Sequence, residues 1–403
     1  MRILVLAWQA PATPSMPGSP RLFSLCRELC RDHKLELLLM PQDAERMASF
    51  RDDPEVARVF SSIHELPLPP APSWLQRQIH LVRQEPSFSL RALAPRYYAR
   101  ICSEVRERCA AADLVFADGI AATQYVRDTP VPAVADLHDA ISLLIRRSVE
   151  RAESPFERTQ LRLESRSIAR WERLLRRQFG LVITNSDVDR DEIRRLDPRC
   201  NTITIPNGVD TAYFSPGEET PVRTRIVFSG VMGYGPNDDA ARFFIGEVLP
   251  LIREQEPECE FWAVGHGPNE SLLALDGTSG VRVTGSVPDL RPFVREARAF
   301  VCPLRYGTGM KNKILAAMAM RCPVVATPIS LDGIDAVPDQ HVLVGESPEE
   351  LAHQSLRLMR DDELVVRLCD SAQAWAEENF SWSQRAECLA IELRKLRISP
   401  SEN

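Results

Sequence analysis

At 403 residues the chain is too long for one compact core, and about 150 residues per domain points to two or three domains. Hydrophobic residues make up 44% and charged residues 26%, the ordinary balance of globular domains, which excludes wholesale disorder. A net charge of −7, from 49 basic and 56 acidic residues, excludes a protein built to coat nucleic acid, and no apolar run reaches the ~18 residues of a membrane-spanning helix.

The run Met1-Arg2-Ile3-Leu4-Val5-Leu6-Ala7-Trp8 carries one cation and a short apolar stretch, which reads as a first strand and not as a signal peptide. From there short β-rich runs alternate with longer helical patterns, the signature of parallel α/β architecture. In the first half the expected strands are Ile3–Ala7, Leu35–Met40, Leu114–Phe116, Ala133–Asp136, Leu181–Thr184 and Thr202–Ile205. In the second half they are Arg225–Phe228, Glu260–Val264, Val281–Thr284, Phe300–Cys302, Val324–Ala326 and Val342–Val344. Helical patterns fill the gaps, among them Asp238–Arg253, Leu290–Ala297, Lys311–Met320 and Glu349–Arg360. Each half can close its own doubly wound sheet with helices on both faces. The seam is expected in the turn-rich stretch from Pro206-Asn207-Gly208-Val209 to Pro216-Gly217-Glu218-Glu219-Thr220-Pro221. Ten cysteines are scattered without a CxxC pair, mostly in apolar stretches, so buried reduced thiols in a cytoplasm are the simplest expectation.

Residues 150–178 are the most arginine-dense part of the chain. Arg158, Arg162, Arg166, Arg170, Arg173 and Arg177 recur at three- and four-residue spacing and so share one helix face. The bland reading is a solvated helix with Glu157, Glu164 and Glu172 as local partners, the usual fate of a charge run. The sharper one is a peripheral membrane contact, with the helix over 157–178 resting on anionic lipid headgroups.

Only four of the basic residues are lysines, so Lys311 and Lys313, two residues apart, need a reason. They close the segment Pro303-Leu304-Arg305-Tyr306-Gly307-Thr308-Gly309-Met310-Lys311-Asn312-Lys313, which leaves a short strand and enters an amphipathic helix. Gly307 and Gly309 suit a sharp turn or a close approach to a ligand, and amides at a helix start favour an anion. Cations in a first helical turn oppose the dipole unless an anion such as a diphosphate sits there. The spacing does not match a Walker loop. Two more glycine-bearing strand ends lie in the same half: Ser229-Gly230-Val231-Met232 through Asn237, and Gly265-His266-Gly267-Pro268. Ligands of open α/β sheets bind outside the carboxyl ends of strands, so the three loops can converge.

In the first half, Asp136-Leu137-His138-Asp139 ends a strand, where a histidine can hold or relay a proton or simply cap the strand. The Pro/Gly/Ser-rich stretch from Pro11 to Pro20 contains Gly18 and leads to Arg21, a placement that suits an anion or a hydroxyl-rich ligand, or a tight connection.

Taken together, these segments resemble the family-4 glycosyltransferases of the GT-B fold, and especially the sugar transferases of bacterial exopolysaccharide systems. The resemblance runs through Val182-Ile183-Thr184-Asn185-Ser186, Ile205-Pro206-Asn207-Gly208-Val209-Asp210, Ser229-Gly230-Val231-Met232, Val264-Gly265-His266-Gly267-Pro268 and Thr284-Gly285-Ser286-Val287-Pro288-Asp289. It continues through Gly307 to Lys313, Ala317-Met318-Ala319-Met320, Pro323-Val324-Val325-Ala326-Thr327 and Phe380-Ser381-Trp382. It implies two Rossmann-like, doubly wound domains facing a cleft. The first, 1–207, would hold the acceptor and be completed by a C-terminal helix over 383–398; the second, 208–382, would hold a nucleotide-sugar. It further implies a retaining reaction without metal or other cofactor, from a nucleotide diphosphate sugar to a hydroxyl acceptor that is lipid-linked or a growing glycan. Such a protein works in the cytoplasm or at the inner face of the membrane and binds no nucleic acid.

By the same resemblance His138, Lys311 and Lys313 are the catalytic positions. Gly230, Asn237, Gly265, Gly267, Val287, Gly307, Thr308, Gly309 and Met310 are the donor side, and Gly18 and Arg21 the acceptor side. Where many members carry a ribose-gripping glutamate this chain has Ala316, which keeps open the alternative of a catalytically weakened protein that binds a sugar nucleotide or a partner transferase.

Overall fold

The computed structural model describes residues 1–13, 16, 20–40, 44–66, 85–152 and 154–398. The chain divides into two compact units, one formed by Met1–Pro206 with the segment from Ser383 on, the other by Asn207–Trp382.

The first unit is built on seven parallel strands: β1 (Arg2–Ala7), β2 (Lys34–Leu39), β3 (Ser62–Glu65), β4 (Leu114–Asp118), β5 (Ala133–His138), β6 (Leu181–Thr184) and β7 (Thr202–Thr204). Their order in the sheet is β3-β2-β1-β4-β5-β6-β7. The chain winds outward from β1 to β3, then returns to lay β4 against the other edge of β1. This leaves a topological switch point between β1 and β4. The central strands are apolar on both faces, as a sheet covered by helices on each side requires; Val134, Val182 and Ile183 are wholly buried. The helix Trp382–Ile398 returns to this unit, and a Leu396 methyl lies 3.0 Å from where a side chain on Gly180 would begin.

The second unit repeats the plan with β8 (Val222–Ser229), β9 (Glu260–Val264), β10 (Val281–Val283), β11 (Ala297–Cys302), β12 (Val324–Ala326) and β13 (Leu343–Val344). The order β10-β9-β8-β11-β12-β13 puts its switch point between β8 and β11. The helix Pro348–Arg360 begins on a full capping box, in which Ser347 and Glu350 each satisfy the other's backbone amide.

Three expectations need correction. The strand β3 was not anticipated: Ser62-Ile63-His64-Glu65 carries one apolar residue, and only pairing with β2 makes it a strand. The single helix expected over Asp238–Arg253 starts earlier, at Gly235, and breaks into Gly235–Phe243, a π turn at Phe244–Val248 and Leu249–Arg253. Pro250 is the cause, because it has no N–H to donate to residue 246 and the ladder slips there to wider spacing. Finally, the glutamates expected to neutralise the arginine-rich helix, Pro155–Leu174, do not do so. Glu172 is buried and accepts from the Ser142 amide at 3.2 Å and from its hydroxyl, while Glu164 accepts the Ser87 amide at 2.8 Å. None of the three glutamates stands three or four residues from Arg158, Arg162, Arg166, Arg170 or Arg173, the only spacings at which helix neighbours meet.

All ten cysteines are free thiols, and seven of them are buried. Burial pushes the Cys26 and Cys322 thiols well above their ordinary pKa, which keeps them protonated and inert.

Candidate donor and acid–base sites

In the second unit the three glycine loops do converge, at the carboxyl ends of β8, β9 and β11, which is the switch-point position. The loops after β8 and β9 are stitched together by the Gly230 amide on the Val264 carbonyl (3.0 Å) and the Met232 amide on the His266 carbonyl (2.7 Å). The approach is so close that a Cβ on Gly265 would stand 1.9 Å from the Gly230 carbonyl oxygen, with φ at +142° besides. Only glycine fits there. Gly267 belongs to the same loop, and the His266 ring meets the Ser286 hydroxyl at 2.7 Å, which brings the half-buried Val287 alongside.

The third loop, after β11, has positive φ at both Gly307 (134°) and Gly309 (70°). Thr308 and Met310 between and beyond them are buried. The helix that follows, Asn312–Ala319, has Lys311 at its N-cap and no side-chain cap. Lys311 folds back so that its ammonium donates to the Thr308 carbonyl (2.9 Å) and the Gly309 carbonyl, tying down the loop it follows.

Lys313 reaches across to the first loop. Its Nζ donates to Asn237 Oδ1 at 2.8 Å and sits 4.3 Å above the Phe228 ring, while Asn237 Nδ2 donates to the Val231 carbonyl at 2.9 Å. A side chain on Gly230 would begin 2.7 Å from that ammonium, so the glycine makes room for the lysine. Burial lowers the Lys313 pKa to about 8, and the charge of Lys311 pushes the same way. A cation held partly desolvated, next to helix amides, is set to gain from an anion. Ala316, on the second turn of that helix, is 8% exposed and belongs to the apolar core. A methyl group there cannot accept a hydroxyl.

In the first unit a second polar group forms at the ends of β4 and β5. Asp118 ends β4 beside the switch point, and His138 ends β5 with a φ of 65°. That left-handed bend turns the ring toward Asp118, whose Oδ1 lies 2.8 Å from Nε2. Burial acts to lower the imidazole pKa, but the Asp118 charge and hydrogen bond, with Asp136 behind, outweigh it and raise the pKa to about 9. The histidine is therefore an imidazolium near neutral pH.

Arg21, expected on the acceptor side, is corrected by the structure. It is fully buried, with Nε on Asp136 Oδ2 at 2.8 Å and a terminal nitrogen on the Ile205 carbonyl at 2.8 Å. The guanidinium holds a carboxylate and faces no solvent. Gly18 lies outside the described residues. Asp118, Asp136 and His138 bring ligand atoms within 4.8 Å of one another, close enough for a metal ion. Their charges are already met: Arg21 balances Asp136 and His138 balances Asp118, so a divalent cation would be placed against a buried guanidinium. The donor set does not fit one.

Sequence reasoning missed Asp118, Asp136 and Phe228 as partners. The acidic strand ends were visible in Ala117-Asp118-Gly119 and Asp136-Leu137-His138, but which would face which is decided by the register that pairs Asp118 with Asp136 across β4 and β5.

Two Rossmann-like units, one carrying a glycine-and-lysine loop cluster at its switch point, define the GT-B class of architecture. Residues 21–213 match the family model Glycosyltransferase Family 4, and residues 223–361 match Glycosyl transferases group 1. The two together take in about four fifths of the sequence, and the chain belongs to the family-4 glycosyltransferases.

Among curated proteins it is similar to TuaC of Bacillus subtilis (strain 168), whose name assigns it to teichuronic acid biosynthesis as a glycosyltransferase. The two are 25% identical over 231 residues, 52% of this chain and 54% of TuaC. The chain spans about half the length of the curated relatives it matches. In fold it is similar to Anabaena HepE solved with UDP and glucose, at TM-score 0.70 and 16% identity over 98% of this chain and 100% of that one. It is also similar to a variant of S. aureus TarM solved with UDP, α-GlcNAc-glycerol and fondaparinux, at TM-score 0.71 and 11% identity over 99% and 100%. No helix among the described residues is long and apolar enough to cross a membrane.

Proposed function

We infer that this protein moves a sugar from a nucleoside diphosphate donor onto a hydroxyl acceptor, with retention at the anomeric carbon and without a metal. The observation that carries the reading is the meeting of Gly230, Asn237 and Lys313 at the switch point of the second unit, with Lys311 and the Gly307–Gly309 loop beside them. In the reaction the bond from the anomeric carbon to the diphosphate oxygen breaks, a bond to the acceptor oxygen forms, and the acceptor's proton leaves with the diphosphate. The protein's task is to meet the charge that grows on that leaving group. Lys313, Lys311 and the first amides of the Asn312–Ala319 helix are the groups suited to it, and cations already held in place cost no reorganisation at the moment of bond cleavage.

The first unit, in this reading, serves the acceptor. His138 is its catalytic group, an imidazolium held by Asp118 that can hydrogen-bond to sugar hydroxyls. UDP is the first nucleotide to try, since HepE and TarM were solved with it. TuaC's name suggests polysaccharide synthesis, with an acceptor that is a growing glycan or lipid-linked, handled in the cytoplasm at the inner membrane face.

Ala316 favours a second reading, in which the chain binds a sugar nucleotide or a partner transferase and catalyses weakly or not at all. Incubation with a panel of nucleoside diphosphate sugars separates the two. The transferase reading expects slow hydrolysis of one donor without acceptor, unchanged by added chelator and lost in the Lys311→Ala/Lys313→Ala protein. Tight binding of a donor that is never cleaved or transferred would favour the binding protein.

A further inference from the structure

The exposed side of the Pro155–Leu174 helix carries a stripe whose composition is not that of a solvated face. At about 100° per residue, Arg158, Arg162, Arg166, Arg170 and Arg173 fall within one arc, and all five are exposed. Glu157, Glu164 and Glu172 fall on the other side of the helix, toward the buried Ser167, Ile168 and Glu172. None of Arg158, Arg162, Arg166 and Arg170 forms an ion pair among the described residues. One edge of the arc is apolar. Leu163 and Leu174 stand seven and eighteen residues along from Phe156, near whole numbers of turns, and the three are 71% (Phe156), 37% and 37% exposed. Cations in an acid-free band beside a line of exposed apolar side chains form the pattern of a helix lying in a lipid interface.

We propose that this helix docks the protein on an anionic lipid surface, with Arg158, Arg162, Arg166 and Arg170 at the headgroups and Phe156, Leu163 and Leu174 entering the acyl boundary. The apolar line selects lipid over other polyanions: a nucleic acid or a soluble anionic glycan answers the arginines but leaves Phe156 in water. The proposal stands apart from the donor assignment, since lipid binding is read without any sugar nucleotide.

The test is co-sedimentation of the full chain with vesicles of phosphatidylcholine alone or with 30% phosphatidylglycerol, at low and high salt. The protein is expected to pellet with the anionic vesicles only, and to be released by salt. Changing Arg158, Arg162, Arg166 and Arg170 to Gln should weaken binding at least a hundredfold at low salt, given about fivefold for each basic residue at such a surface. The same four changed to Lys should retain it, which controls for misfolding. Phe156→Ser should weaken binding severalfold even though no charge changes. Equal pelleting with neutral vesicles, or an unchanged glutamine variant, would overturn the proposal. So would a soluble polyanion that competes fully while Phe156→Ser binds vesicles like the parent, for the face would then recognise charge alone.

Discussion

Lys313 concentrates the physical argument in one side chain. Its ammonium is held by Asn237 Oδ1 at 2.8 Å and by the Phe228 ring, in a place where burial brings its pKa down to about 8. Below that pH the site is cationic; above it the lysine goes neutral and an anion loses a partner. Nucleoside diphosphate affinity should accordingly hold steady to about pH 7.5 and fall as the pH rises through 8 to 9, a step that calorimetry should find missing in Lys313→Ala. Asn237→Ala, which removes the acceptor that aims the lysine, should weaken binding by about 0.5–1.5 kcal/mol, the scale of one net hydrogen bond.

The pKa of His138 is shifted in the opposite direction, upward. Its pKa is raised to about 9 in the folded state against about 6.5 unfolded, so the stability it contributes is complete below about pH 6.5 and is lost as the pH rises through 9. The contribution is at most about 3 kcal/mol, from roughly 1.36 kcal/mol per pKa unit. Denaturant midpoints at pH 6 and pH 9.5 should converge in Asp118→Asn; a gap equal to the parent's would mean the pair does not stabilise the fold.

At the scale of elements, the loops that build the proposed donor site are bound by backbone as much as by side chains. Gly265→Ala places a methyl group 1.9 Å from the Gly230 carbonyl and must move one loop off the other, so a loss of about 1–3 kcal/mol is expected, together with weakened nucleotide binding. Gly246 gives the contrast. It lies in the π turn with no atom within 4 Å of an added Cβ, and Gly246→Ala should stabilise by about 0.5–1 kcal/mol. Thermal melts of the two variants should separate in opposite directions.

These elements also show what was legible in the sequence. The apolar strands were, because β-branched runs such as Val324-Val325-Ala326 are buried on both faces and leave a continuous pattern. The glycine loops were, because backbone contact leaves no room for other residues. β3 was not, since it owes its form to a neighbour, and the break at Phe244–Val248 was masked by apolar periodicity on both sides of Pro250. The Arg21–Asp136 pair, 115 positions apart, was beyond any local pattern.

Across the whole molecule two parallel sheets share one design, of which the second carries a glycine-and-lysine loop cluster and the first a charged pair at a strand end. The family match covers both units, while the curated relatives align with only about half their length, so the central claim is one of chemistry in this chain's own residues. Titration calorimetry of UDP, with GDP and ADP beside it, in buffer containing chelator, tests it most directly. The account predicts that at least one of the three binds without metal, and that Lys311→Ala/Lys313→Ala weakens it at least a hundredfold, from about 1.5–3 kcal/mol per charge-assisted contact. Binding that requires added divalent cation, or that survives the double substitution unchanged, would contradict it.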